Sequence, residues 1–484
     1  METDALLDRR TMDNRGDLQA LEDNLENNQN PENYKARFQY FAAISATLSA
    51  FASGAVLGWT SPILDILENG DFNGIKVDND QMGWIGSLAT LGAVIMCIPM
   101  GVICDFMGRK KSLLFLVLPF TVGWALILFS KNILMLYFGR LFCGMAVGGT
   151  CVAAPLYTGE IAHKNLRGSL GSYFQLMVTV GILFAYVLGK FLTVKAFTIA
   201  CACLPFIFVV LFVFQPESPV YLIKLGLYDA AESAMVRLRG TPGVQYELLE
   251  LEETVKESTN SQVSMCRLLK RKSSLVAIVI SFALMFFQQF CGINTIILYV
   301  SKIFETSGVK MDSKTASIIV AIVLALSTFI ASLVIEKLGR KFLLILSSSV
   351  LIISNLTIAV YFTLKDRNHI DEKTLSHFGF IPVSAVCVFV AVFSLGLGPI
   401  PWMISSEIFV PEIKSVVSSV AGTLNWFMAF LITKFFLQIN QQVGMDSTFY
   451  FFSVMSALGA IFIYKVVPET KGKTIMEIQY ELDS

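Results

Sequence analysis

Charge is scarce in this 484-residue chain: Asp, Glu, Lys and Arg make up 15% of it, against 55% hydrophobic residues and a mean hydropathy of +0.65. That balance excludes an ordinary soluble domain, which could not hide so much apolar surface. Histidine is scarcer still. The three that exist, His163, His369 and His377, fall at expected span ends or in loops, with no nucleophile elbow and no zinc spacing. The inventory therefore argues against an enzyme and offers no metal site and no resident cofactor. Gly472-Lys473-Thr474 imitates the end of a phosphate loop, but Val467 stands where the earlier glycine is required. A formal net charge of zero gives no footing for nucleic acid. None of the nine cysteines falls in an expected external loop and none is spaced C-x-x-C, which excludes a disulfide framework. Residues 1–33 are acidic and polar with no apolar core, so no cleavable leader is expected, and residues 1–37 read as a disordered cytoplasmic tail.

What the chain has instead is length without charge. Twelve stretches of about 20 or more residues lack Asp, Glu, Lys and Arg, six within residues 38–215 and six within 273–464, the eleventh being 415–433. A polytopic all-α membrane protein of twelve transmembrane helices follows, with both termini on one side. Lys and Arg number 25 on that side and 11 on the other, with Arg140 inside the fourth span, so the side holding both termini is expected to be cytoplasmic. Residues 216–272 are polar, with helical patterns over 225–238 and 248–255 broken at Thr241-Pro242-Gly243, and read as a linker of short amphipathic helices. Residues 465–484 form the second tail.

The two sets of six spans carry the same signatures in the same order, the mark of a duplicated unit. Asp105 and Arg109 follow span two, Glu160 precedes Arg167 by seven after span four, and Glu217 follows span six. Glu336 and Arg340, Glu407 and Lys414, and Glu469 repeat these positions after spans eight, ten and twelve. Opposite charges gathered at neighbouring helix ends can pair as two ionic latches that hold the cytoplasmic mouth shut.

Polar side chains at mid-depth in a bilayer are costly and mark a solute path or helix-to-helix glue. Span seven is richest, with Gln288, Gln289, Asn294 and then Tyr299. Amides suit a neutral polyhydroxylated ligand, since they offer donors and acceptors without a charge to desolvate. Span ten carries Gly398-Pro399-Ile400-Pro401-Trp402, where the prolines break the helix and Trp402 offers either a flat face for a sugar ring or an interfacial anchor. Span five adds Gln175, and span eleven adds Asn425 beside Trp426.

These elements together resemble the sugar porter branch of the major facilitator superfamily. The likeness rests on Gly101-x-x-x-Asp105-x-x-Gly108-Arg109-Lys110, Pro216-Glu217-Ser218-Pro219, Gln288-Gln289-x-x-Gly292-Ile293-Asn294, Gly398-Pro399-Ile400-Pro401-Trp402 and Pro468-Glu469-Thr470-Lys471-Gly472. Within that branch the chain is most similar to insect facilitated trehalose transporters and their glucose transporter relatives. The resemblance implies two pseudo-symmetric six-helix bundles and rocker-switch alternating access. It places Gln175, Gln288, Gln289, Asn294, Trp402 and Asn425 on the sugar, with Tyr299 in the outer gate beside Gly398, Pro399 and Pro401. The chain departs from the pattern at Leu324, where glucose transporters carry a sugar-contacting Asn, at Ser394, which replaces a Glu, and at Lys414, which replaces an Arg. Proton-driven relatives carry an Asp in span one. Here that span has no carboxylate over 38–64, which favours a facilitator over a proton symporter, while the intact paired latches argue against a non-cycling sensor. Expected partners are a small neutral sugar (trehalose, glucose or another hexose), the bilayer of the plasma membrane and, at Glu2 to Leu7, adaptor proteins that read an acidic dileucine signal.

Overall fold

The computed structural model describes residues 36–163, 166–260, 268–308, 311–366, 378–473 and 475–483. The dileucine segment, Cys266, His369, His377 and the side chains of Arg167 and Glu336 lie outside the described residues. Among the described residues, twelve helices are long and apolar enough to cross a membrane. They run Ala36–Asn69, Asn79–Met107, Arg109–Leu128, Ile133–Ile161, Gly168–Phe191 and Val194–Phe212, then Lys272–Ser307, Ser313–Ile335, Arg340–Lys365, Phe380–Ser405, Val416–Val443 and Met445–Val466. With every backbone group bonded inside its own helix, such spans are stable where no water reaches. The spans are numbered one to twelve below. The end of the bundle that carries the connection between spans six and seven is called the linker end, and the opposite end the far end.

Local chemistry fixes where spans start. Asp78 opens span two through a capping box, accepting from the Gln81 amide at 2.8 Å while its own amide donates to Gln81 Oε1 at 3.1 Å. Asn132 caps span four and Asp312 caps span eight by simple N-caps, accepting from the amides of Met135 and Thr315. The duplication is written into the backbone as well: Gly108 (φ 92°) joins span two to span three, and Gly339 (φ 88°) joins span eight to span nine.

Several spans run past their charge-free stretches, span one taking in Asp65 and Glu68, span two Asp80 and Asp105, and span seven Lys302 and Glu305. Span one is two helices, Ala36–Gly58 and Thr60–Asn69. Span four takes in Arg140, which is wholly buried. The helix that contains span eleven, Pro411–Val443, runs on through Lys434 instead of stopping at Thr433, because the lysine is buried against the other half. In the linker, Pro219–Lys224, Tyr228–Arg239 and Gln245–Asn260 are helical, with the break at Gly240 and the residues after it. Arg239 ties the linker to the first half, donating to the Ile161 carbonyl at 2.9 Å and to both carboxylate oxygens of Glu247.

The main apolar core is continuous through both bundles, with a second cluster inside the first half, and the bundles meet along three seams. Span two lies on span eleven, span five on span eight, and the outer part of span one on the outer part of span seven.

Candidate functional site

Two helix breaks face each other in the second half. Span seven stops at Phe290 and restarts at Ile293 around Gly292, whose φ of 97° suits only glycine without strain. Span ten stops at Leu395 and restarts at Ile400, so the carbonyls of Leu397 and Gly398 have no helical partner. Gln288 supplies one. Its Nε2 donates to both carbonyls at 2.7 Å, which stitches the two breaks together.

The other amides extend this stitch into a continuous chain. Asn294 Nδ2 donates to Gln289 Oε1 at 2.6 Å, Gln289 Nε2 to Asn425 Oδ1 at 2.9 Å, and Asn425 Nδ2 to Gln288 Oε1 at 2.6 Å. Gln288, Gln289 and Asn425 are buried and Asn294 is partly so. Thus Gln288, Gln289, Asn294, Asn425 and the Gly398 carbonyl come together. An uncharged relay of this kind can exchange its internal bonds for ligand hydroxyls at little electrostatic cost. Beside it the Trp426 indole N–H is buried and unpartnered. Trp402 is 38% exposed, its ring against Gly422, and Gln175 on span five is half-buried; neither has a described contact with the amide relay. Leu324 is buried on span eight, and Ser394 bonds the Val390 carbonyl at 2.9 Å.

Tyr299 sits higher in span seven at a second irregularity (φ −122°, ψ 15°) and is fully buried. Its hydroxyl donates to the Thr433 carbonyl at 2.9 Å, and its ring stacks on Phe436 at 5.4 Å. The hydroxyl also touches the first half: a Cβ on Gly86 would lie 2.5 Å from it. Tyr299 therefore plugs the far end between the bundles.

The charged signatures at the linker end form two matching sets, each contained within one half. Arg109 pairs with Glu160 at 2.9 Å and Asp105 at 3.2 Å, and Glu160 also accepts from Ser218. Glu217 accepts from the amides of Lys110 and Ser218, both at 2.9 Å. In the second half Arg340 pairs with Glu407 at 3.1 Å, and Glu407 accepts from Thr470 at 2.6 Å. Glu469 accepts from the amides of Arg340, Lys341 and Lys471 at 2.9 to 3.0 Å. Burial alone would raise its pKa, but these backbone donors outweigh that and hold the carboxyl below the usual glutamate range. Lys414 is half-buried and engaged. Every described pair among these residues joins helices of a single half, one set in each half.

Contacts that do bridge the halves lie at the far end, and sequence reasoning missed them. Ser61 and Ser301 hydroxyls share a bond of 2.9 Å, Tyr186 donates to the Ile297 carbonyl, and three lysines meet acids across the seams. Opposite charges at the far ends of spans that adjoin across the duplication were the available signal. Arg140, the buried cation of span four, donates to the Ile85 carbonyl (3.0 Å), the Val56 carbonyl (2.9 Å) and the Thr60 hydroxyl (2.9 Å), with Trp59 beneath it at 5.4 Å.

Twelve spans in two bundles, with broken helices around a polar core, define a polytopic membrane protein of the major facilitator fold. Solved structures agree on the fold. The proton:xylose symporter XylE bound to 6-bromo-6-deoxy-D-glucose superposes with a TM-score of 0.76 at 22% identity, over 93% of this chain and 100% of that one. The partially occluded inward open conformation of the E. coli xylose transporter XylE also gives 0.76, over 90% of this chain and all of that one. Among curated proteins, the facilitated trehalose transporter Tret1 of Bombyx mori is 34% identical over 447 residues, 92% of this chain and 87% of that protein. Its counterpart in Apis mellifera ligustica is 34% identical over 443 residues, 91% and 87% of the respective chains. The model of the family described as sugar (and other) transporter matches residues 30–482, and the chain belongs to that family.

Proposed function

We propose that the protein is a facilitative sugar carrier of the plasma membrane that moves trehalose or a hexose down its gradient by alternating access, with both termini cytoplasmic. One observation carries this reading: the amide relay of Gln288, Gln289, Asn294 and Asn425 joins two helix breaks in an uncharged core. A neutral sugar presents hydroxyls that replace the relay's internal bonds, while Gln175 and Trp402 add a donor-acceptor pair and a ring face from flanking spans. The Tret1 relatives' names favour trehalose among the candidates.

The absence of proton coupling has its own support. Coupling needs a titratable group that faces the sugar path; the carboxylates span one does carry, Asp65 and Glu68, lie on its outer helix toward the far end, and the described partners of the buried Arg140 are two carbonyls and a hydroxyl, none of which titrates. With the far end plugged by Tyr299 and bridged between halves, this conformation has that mouth closed, as one limb of an alternating cycle requires. The experiment is uptake of radiolabelled trehalose and glucose, in mutual competition, into liposomes that hold the purified protein and a pH-sensitive dye. Saturable uptake with no internal pH change is expected. Uptake accompanied by acidification of the interior would make the protein a proton symporter, and failure with every sugar would favour a non-cycling sensor.

A further inference from the structure

Alternating access, on which this inference rests, requires that one mouth be held closed while the other opens. The far mouth is ringed by three ion pairs, each across a different seam. Lys190 at the end of span five reaches Asp312 at 3.2 Å and also donates to Thr315 on span eight. Lys302 on span seven reaches Glu68 on span one at 2.9 Å and Glu305 of its own helix at 3.3 Å. Lys434 on span eleven reaches Asp80 on span two at 2.5 Å, and Gln438 donates to the same carboxylate.

The arrangement follows the duplication. Spans five and eight of one seam correspond to spans eleven and two of another, so Lys190–Asp312 and Lys434–Asp80 occupy equivalent places. Counted from Arg167 and Lys414, the two lysines agree to within about one helical turn. Lys302–Glu68 joins spans one and seven, which are themselves counterparts, and so stands on the symmetry axis of the set. Chance pairing of surface charges has no reason to respect that symmetry. At the linker end, by contrast, the described pairs stay inside single halves, where breaking them would not part the bundles.

We propose that Lys190, Lys302 and Lys434, with Asp312, Glu68 and Asp80, form a three-point electrostatic clasp that closes the far mouth and sets the balance between the two open forms. The lysines act as positioning residues: they touch no sugar and work by holding the bundles together above Tyr299. The acids are about half exposed, with side-chain exposures of 55%, 44% and 52%, so no single pair dominates by charge alone. Lys434 differs in being 5% exposed, its ammonium 4.6 Å over the Trp84 ring, and it anchors the seam most firmly.

The test uses the full chain in nanodiscs with Ser61→Cys as reporter, since Ser61 is 1% exposed beneath the clasp. A hydrophilic maleimide should label it slowly in the parent, roughly fivefold faster when Lys434 is replaced by Met, and faster again when Lys190 and Lys302 follow. Exchanging charges, Asp80→Lys with Lys434→Asp, should return the rate to the parent's; a merely structural loss would not be rescued this way. The exchange pair is read by itself if the triple variant fails to fold. Unchanged labelling after Lys434→Met, or no rescue by exchange, overturns the clasp. Sugar uptake is measured on the same proteins: no uptake by the parent, with labelling responding as expected, would sink the transport reading and leave the clasp standing.

Discussion

Replacing Gly86 by alanine puts one methyl group where Tyr299 closes the far mouth. The new Cβ would lie 2.5 Å from the tyrosine Oη and 3.1 Å from Cζ, well inside carbon contact distance, so the ring has to retreat by roughly 1 Å. Retreat breaks the 2.9 Å bond to the Thr433 carbonyl, leaving the buried Tyr299 hydroxyl without its acceptor, and slides the ring off Phe436. These losses amount to about 1–3 kcal/mol and about 0.5–1.5 kcal/mol. Gly86 and Tyr299 belong to different halves, so the penalty applies only while the far mouth is closed. A destabilisation of roughly 2–4 kcal/mol corresponds to a shift of roughly 30- to 700-fold toward the far-open form. Spin labels at the exposed positions Asn69 and Gln442, one on each half, report the opening as a longer distance by double electron–electron resonance. Tyr299→Phe removes the closest clashing atom and leaves the tight Cζ contact, so Gly86→Ala should cost clearly less on that background. Equal costs of Gly86→Ala with and without the hydroxyl, or no lengthening at all, would refute the reasoning.

Arg140→Lys should lower thermal stability by at least about 2 kcal/mol, because one ammonium cannot reach the three acceptors that the guanidinium serves, and scanning calorimetry or a dye-based melt measures it. Gln288→Leu strands the carbonyls of Leu397 and Gly398 and one donor of Asn425, and should cost about 2–4 kcal/mol by the same melt while Gln288→Glu costs less at low pH, where the neutral acid can donate. The carboxyl of Glu469 has a pKa depressed below the ordinary 4.5, so its contribution is complete above that value and is lost as pH falls through the depressed one. Glu469→Gln should cost about 1 kcal/mol at neutral pH and flatten the acid limb of a stability-against-pH curve; an unchanged acid limb would contradict the assignment.

Much of the architecture was legible because its causes are local. The bilayer demands apolar length, so span number came from composition, and the duplication came from Asp105, Arg109, Glu160 and Glu217 recurring as Glu336, Arg340, Glu407 and Glu469. The amide cluster stood out for the same reason: Gln288, Gln289 and Asn294 are expensive in lipid. What escaped depends on which helices meet. Lys190, Lys302 and Lys434 read as loop charges because a lysine at a span end looks alike whether it faces water or an acid on another helix. Counting Lys434 as a boundary also truncated span eleven at Thr433. Grouping the charged signatures does not say which helices Arg109 or Arg340 pairs with, and Gly86 carries no signal until Tyr299 is placed against it.

The central claim is that a neutral amide relay recognises sugar. Equilibrium binding of radiolabelled trehalose and glucose to the purified protein, compared with Gln289→Leu and Asn425→Leu, addresses it most directly. Saturable binding by the parent and at least tenfold weaker binding by both variants, with folding intact, is the predicted result. Parent-like affinity in both variants, or no saturable binding of either sugar to the parent, would contradict it.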